Sequence, residues 1–248
     1  MKNSVHVVVL SLDMNVFGTP SKIYPVLVYD AEGATLFDAG YPGNFDQLRQ
    51  AVEDAGVSFA QLRRLIITHQ DWDHIGGIPD VLRATGGKAE VFAHAAEKPF
   101  IDGTLRPIKL TPERIAARLQ MLPEHLRAEA AAAFANIPRI PVGQTLQDKD
   151  VLPFHGGIEV IHTPGHTPGH ICLFLREERL LIAGDALRVE NATLVGPAAE
   201  HTFDMPTALQ SLRKLSAYDI DRVVCYHGGV YGPDASIRIA ELVSGRGS

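Results

Sequence analysis

Cysteine is scarce. The chain has two in 248 residues, Cys172 and Cys225, far apart and each inside an apolar run. That excludes a disulfide framework and reads as two buried, inert thiols in a reducing compartment. A basic surplus is also missing: 23 Lys and Arg stand against 29 Asp and Glu, a net charge of -6. A polyanion leaves no footprint here, so nucleic acid is not an expected partner. No apolar run approaches the roughly 18 residues of a membrane span, and the opening MKNSVHVVVLSLD runs into acidic and turn residues without a signal-type cleavage site. A soluble, cytoplasmic protein is expected. Low-complexity tracts are absent, and the only internal repeat is the tandem Thr-Pro-Gly-His at 163–170. What the chain has is a hydrophobic content of 46%, enough for a sizeable core, and 11 histidines. His69, His74, His162, His166, His170 and His227 follow directly on apolar, β-like runs.

Short apolar runs at 5–12, 23–29 and 34–37 predict antiparallel strands, the last two joined by the Asp30-Ala31-Glu32-Gly33 turn. Phe45, Leu48, Ala51, Val52 and Ala55 recur at helical spacing, and the β-branched run 65–68 breaks into His-Gln-Asp-Trp-Asp-His. A short helix is expected at 79–84 and a strand at 90–92. Between about 95 and 150 the β signals vanish, and two helical stretches begin at Thr111-Pro112-Glu113 and Glu124. With Ala as its main apolar residue this segment could hardly bury a core of its own, so it reads as a helical cap inserted into one domain spanning 1–248. Strands are expected again at 158–161, 171–175, 180–183 and 222–225. Helices are expected after Asp204, the anticipated N-cap, and near 234–243. Two strand-rich halves, each ending in a helix and a strand, suggest two packed sheets flanked by helices.

Four strand ends carry the chemistry. His69, Asp71, Asp73 and His74 put four potential ligands into six residues of loop, where side chains can converge as those of a regular strand cannot. The bland reading is a solvated loop whose Asp73 caps the next helix. In the tandem His162-Thr-Pro-Gly-His166-Thr-Pro-Gly-His170, proline and glycine forbid a helix and hold a tight turn that can project one histidine. Ala183-Gly184-Asp185 and Tyr226-His227-Gly228 end two further strands.

In that order, HxDxDH, TPGHTPGH, GD and a late HG, the sequence resembles the metallo-β-lactamase fold hydrolases over nearly its whole length, Asp38-Ala39-Gly40 included. The resemblance implies an α/β fold, the αββα four-layer sandwich of that type, here with an inserted helical cap. It implies a dinuclear site at one edge of the sheets. His69, Asp71 and His166 would hold one metal, Asp73, His74 and His227 the other, and Asp185 would bridge them. His162 and His170 match no ligand position and read as histidines that orient their neighbours. Asp71 stands where the commonest pattern has histidine. Three aspartates, two divalent ions and one hydroxide then sum to no net charge. The oxygen-rich donor set moves the expected metals from zinc alone toward iron, manganese or mixtures. The alternative at this position is that Asp71 does not ligate and only one metal binds tightly.

A metal-bridging hydroxide would be the nucleophile, with Asp73 as proton carrier to the leaving group. The resemblance extends to the N-acyl homoserine lactonases and the hydroxyacylglutathione hydrolases. The expected reaction is hydrolysis of a lactone or other small acyl ester, the alternatives being thioester hydrolysis or a mononuclear iron persulfide dioxygenase. The lactonases carry a substrate-contacting tyrosine three residues after the bridging aspartate. Here that position is Arg188, either a fork for a substrate carboxylate or phosphate or a surface partner of Glu190. The insertion would stand over the site and offer Phe100, Ile101, Ile115, Leu119, Met121, Leu122 and Phe134 to an acyl chain, or use them to dock the cap. The expected partner is a small-molecule ester, with neither nucleic acid nor a membrane. The sequence does not set the oligomeric state, and a homodimer stays open.

Overall fold

A computed structural model describes residues 4–245. Its strands sort into two six-stranded sheets and two hairpins, one of them β13 (Arg188–Glu190) with β14 (Thr193–Val195). The first sheet has the order β1 (His6–Val9), β4 (Val26–Asp30), β5 (Gly33–Phe37), β6 (Leu62–Ile67), β7 (Glu90–His94) and β8 (Gln144–Leu146). The second runs β16 (Gly229–Tyr231), β15 (Arg222–Cys225), β12 (Leu180–Ile182), β11 (Ile171–Leu175), β10 (Ile158–His162) and β9 (Val151–Leu152).

The central strands are apolar without alternation because both of their faces are covered. In β6, Ile66 points between the sheets with Val28, Phe37, Leu173 and Val224, while Leu65 and Ile67 point the other way. There they meet Leu48 and Val52 of α1 (Phe45–Asp54) and Ile78 and Val81 of α3 (Ile78–Ala84). Ile171, Leu173 and Leu175 of β11 likewise face inward, and Cys172 and Phe174 face outward. Their outer partners are Leu212 and Leu215 of α7 (Met205–Leu215) and Ile239 of α8 (Ala235–Val243). Helix, sheet, sheet, helix is therefore the layer order, as expected. Asp204 caps α7, accepting from Thr207 N at 3.1 Å.

The run expected as one strand at 5–12 is two. Its end begins β2 (Leu12–Val16), which pairs with β3 (Thr19–Ile23) in a hairpin the sequence did not announce. The turn takes Phe17 and Gly18 into positive φ, 49° and 87°, as a tight two-residue hairpin turn requires. Between β7 and β8 run α4 (Lys98–Ile101), α5 (Pro112–Met121) and α6 (Glu124–Ala135). Leu110, Ala130 and Phe134 form a small apolar cluster there with Phe17 and Trp72, so the hairpin and the helices share one packing unit. Of the residues expected to form an apolar lid, Ile101 is buried in the main core and Met121 is 87% exposed. No helix among the described residues is long and apolar enough to cross a membrane.

Strand direction positions the site. β10 and β12 are both antiparallel to β11, and β15 is parallel to β12, so β10, β12 and β15 run the same way. Their carboxyl ends, leading into 163–170, Asp185 and His227, share one sheet edge. Ile171 N donates to Thr68 O at 3.1 Å, and Tyr24 N to Tyr226 O at 3.0 Å, which joins that edge to the first sheet where β6 ends.

Candidate metal centre

All seven donor residues named from the sequence come together. His69, Asp71, His166 and Asp185 each offer an atom within 4.8 Å of the others, and Asp73, His74 and His227 form a second group under the same limit. In the first half, Asp71 Oδ2 lies 3.4 Å from His69 Nε2 and 3.0 Å from His166 Nε2. In the second, His227 Nε2 is 3.1 Å and His74 Nε2 3.7 Å from Asp73 Oδ2. Asp185 reaches both: its Oδ2 is 3.4 Å from His166 Nε2 and 3.5 Å from His227 Nε2, its Oδ1 3.3 Å from His74 Nε2.

Loops, turns and one short helix hold these side chains; Asp73 and His74, expected on a loop, lie in that helix. Asp71 is the N-cap residue of the short helix α2 (Trp72–Ile75), yet its side chain makes no cap bond and turns to the cluster instead. Asp38, at φ 58° and buried, accepts from Thr68 N at 2.9 Å through Oδ1 and from Thr68 Oγ1 and His74 Nδ1, both at 2.8 Å, through Oδ2. With its hydroxyl proton on Asp38, Thr68 Oγ1 accepts from His69 Nδ1 at 3.0 Å. The network thereby assigns the Nδ1 protons of His69 and His74 and turns both Nε2 atoms, buried and without a hydrogen-bond partner, toward the cluster. His170 serves Asp185: its Nε2 accepts from Asp185 N at 3.0 Å while Nδ1 donates to Thr163 Oγ1 at 2.8 Å. His162 stacks on His94, centroids 4.0 Å apart, away from the cluster. Tyr226 stacks on His74 at 3.8 Å and donates to Asp73 O at 2.5 Å.

Electrostatically the site asks for positive charge. For His74 burial favours the neutral ring, yet Asp38, Asp185 and Asp73 overcome this and raise its pKa well above that of a free imidazole. At His227 burial is likewise outweighed by Asp185 and Asp73, which raise it to about 10. Burial disfavours the Asp71 carboxylate, but the Lys109 ammonium and His69 hold it well below the usual range. The donor chemistry fits a divalent cation in the second half. Ligand atoms about 2.0–2.1 Å from zinc stand roughly 3.3 Å apart in a tetrahedron, close to the separations seen here. Imidazole nitrogens facing carboxylate oxygens need a cation, a proton or a metal ion, between them. In the first half the Lys109 ammonium takes part of that role, its Nζ 2.5 Å from Asp71 Oδ2 and 2.7 Å from His166 Nε2, while His69 Nε2 keeps no partner.

The cluster forms the floor of a cavity of about 400 Å³ lined by Tyr41, Trp72, Lys109, Leu110, Arg118 and Phe134 among others. Arg188 also lines it, but its guanidinium is paired with Glu190 and donates to Gly196 O at 3.2 Å. Pro107 and Phe134 also line a second cavity of about 560 Å³ between Phe100, Ile115 and Leu119. Sequence reasoning missed Lys109, Gln70 and Glu97. Glu97 Oε2 accepts from Gln70 N at 2.9 Å and Nε2 at 3.0 Å, and its Oε1 from Gly169 N at 2.6 Å, which ties two donor loops together. No local pattern marks such residues, because their partners lie far away in sequence.

A model of the metallo-beta-lactamase superfamily matches residues 18–227. The probable metallo-hydrolase YflN of Bacillus subtilis (strain 168) is 30% identical over 205 residues, covering 78% of this chain and 74% of that protein. The hydroxyacylglutathione hydrolase GloC of Haemophilus influenzae is 26% identical over 164 residues, 65% of each chain. A solved metallo-beta-lactamase family protein from Thermus thermophilus shares the fold, with a TM-score of 0.72 over 96% of this chain and 78% of that one at 22% identity.

Proposed function

The chain belongs to the metallo-beta-lactamase superfamily, and from that footing we propose that it is a metal-dependent hydrolase of a small carbonyl ester, a lactone before other acyl esters. His69, Asp71, Asp73, His74, His166, Asp185 and His227 are the donors of the centre. The observation that carries this reading is the pair of unpartnered Nε2 atoms of His69 and His74, facing three carboxylates at the floor of an open cavity. A divalent ion bound there supplies a water of lowered pKa and polarises a carbonyl.

The chain's own residues do the rest. Burial disfavours the Asp73 carboxylate, but His74 and His227 overcome that and keep it ionised, so that the carboxylate can take a proton and pass it to the departing oxygen. Trp72, Leu110 and Phe134 give the cavity an apolar wall, and the second cavity beyond Phe134 has the volume and lining for an acyl chain. Arg118 sets positive charge on the cavity wall, suited to the carboxylate that hydrolysis releases. A thioester is the competing substrate, favoured by the similarity to a hydroxyacylglutathione hydrolase.

The test is turnover of metal-loaded protein on a panel of lactones, oxoesters and thioesters, with oxygen uptake on persulfides followed in parallel. Lactone or oxoester hydrolysis lost on chelation supports the proposal, and thioester preference moves it to the competing substrate. Oxygen consumption without hydrolysis overturns it.

A further inference from the structure

Lys109 is the residue of the centre that no motif assigned. It lies before α5 with 6% of its side chain exposed. Lysine is rarely so buried unless paired, and its ammonium is paired with Asp71 and His166. Both flanks are fixed. Ile108 N donates to Gln70 Oε1 at 2.8 Å, Gln70 is held in turn by Glu97, and Leu110 is buried in the cluster with Ala130 and Phe134. A pinned segment therefore delivers this ammonium, and it is not a surface side chain folded inward.

We propose that Lys109 is the resident cation of the first half of the centre, so that the protein holds one divalent ion, at Asp73, His74, His227 and Asp185, with the ammonium as a second electrophile beside it. The proposal rests on reading the cluster as a metal-dependent hydrolytic centre, and it replaces the two ions expected from the motif order. An imidazole Nε2 has a single lone pair, and that of His166 accepts from Lys109, so a metal in the first half has to displace the ammonium. Charge is balanced with the ammonium in place: three carboxylates, one ammonium and one divalent ion leave the site neutral without the hydroxide that two divalent ions would need. The ammonium has three N–H groups; two serve Asp71 and His166, and the third is left for an oxygen in the cavity that Lys109 lines. Placed there, it can polarise a carbonyl or hold a developing oxyanion.

The experiment is metal stoichiometry. Metal-free protein is titrated with cobalt(II) and with zinc by calorimetry, and bound metal per chain is counted after gel filtration. Wild type and Lys109→Arg are expected to hold one equivalent, and Lys109→Met and Lys109→Gln two. Two tight equivalents in the wild type overturn the proposal whatever the variants do, as does a single equivalent in a folded Lys109→Met. If both neutral variants fail to fold, the wild-type count decides. A wild type that binds no metal overturns the hydrolase reading itself, which separates that failure from this one.

Discussion

Replacing Asp38 by Asn changes one oxygen for nitrogen and tests whether hydrogen bonds behind the donors set metal affinity. Asn tolerates positive φ as Asp does, so the backbone at 58° is not strained by the change. The amide orientation is forced. Thr68 N donates to Oδ1 at 2.9 Å, which requires the amide oxygen on that side and leaves the NH₂ facing His74 Nδ1. His74 then has to accept at Nδ1 and carry its proton on Nε2, the atom that faces Asp73 and Asp185. A protonated Nε2 cannot ligate. The ring must revert to its former tautomer against two facing N–H groups, or the metal loses that donor. Substitutions behind metal-binding histidines cost about 10–100-fold in affinity, which is about 1.4–2.7 kcal/mol. The metal-free protein should lose the two hydrogen bonds that Oδ2 accepts, from Thr68 Oγ1 and His74 Nδ1, roughly 2 kcal/mol, and hence about 4–8 °C in melting temperature. Competition against a fluorescent zinc chelator measures the first quantity and thermal melts of the metal-free protein the second. Affinity within twofold of wild type, with the melting temperature lowered, would show that Asp38 only supports the fold and would refute the tautomer argument.

What the sequence revealed and what it concealed divide along a physical line. Leu65, Ile66 and Ile67 announce a strand because both faces of β6 are buried, and the same holds for β11. The β2–β3 hairpin stayed hidden in its second strand: Leu12, Met14 and Val16 alternate with exposed Asp13 and Asn15, but Thr19, Pro20 and Lys22 of β3 face solvent and leave no apolar alternation to read. The four donor motifs were legible because each puts its chemistry within a few residues at the end of a strand. Asp38, Thr68, Glu97 and Lys109 act through contacts that cross the chain, such as Lys109 to His166, 57 residues apart, and a lysine between Ile108 and Leu110 carries no mark of that. Arg188 was open between substrate and Glu190. The ion pair with Glu190 is formed, although the side chain still lines the cavity.

Asp73→Asn keeps a ligating oxygen but cannot carry the proton, so turnover should fall by roughly 10²-fold or more while metal content falls much less; equal turnover with metal retained would remove Asp73 as the acid. His94 is lowered to about 4, by burial first and the stacked His162 second, so its stabilising contribution is present above the unfolded value of about 6.5 and is lost as pH falls toward 4. His94→Asn keeps an acceptor for Ala96 N and should lose about 1 kcal/mol less than wild type between pH 7 and 5 in denaturant melts; parallel losses would show that His94 is not the group responsible. Gly165→Ala tests how the histidine loop is seated. Gly165 has φ 128°, and a Cβ there would lie 2.2 Å from Ala208 N and 2.4 Å from Ala208 Cα, in the backbone of α7. The two segments cannot simply part, because Asp204 N, at the N-cap of α7, donates to Gly165 O at 2.8 Å. Gly56 also has positive φ, 79°, but nothing lies within 4 Å of its Cβ position, so Gly56→Ala isolates the backbone cost of about 1–2 kcal/mol. Overpacking should add about 1–3 kcal/mol at Gly165 and shift His166, so metal affinity should fall in Gly165→Ala and not in Gly56→Ala. Equal destabilisation of the two variants, with metal binding intact in both, would mean that the loop yields without moving its histidine.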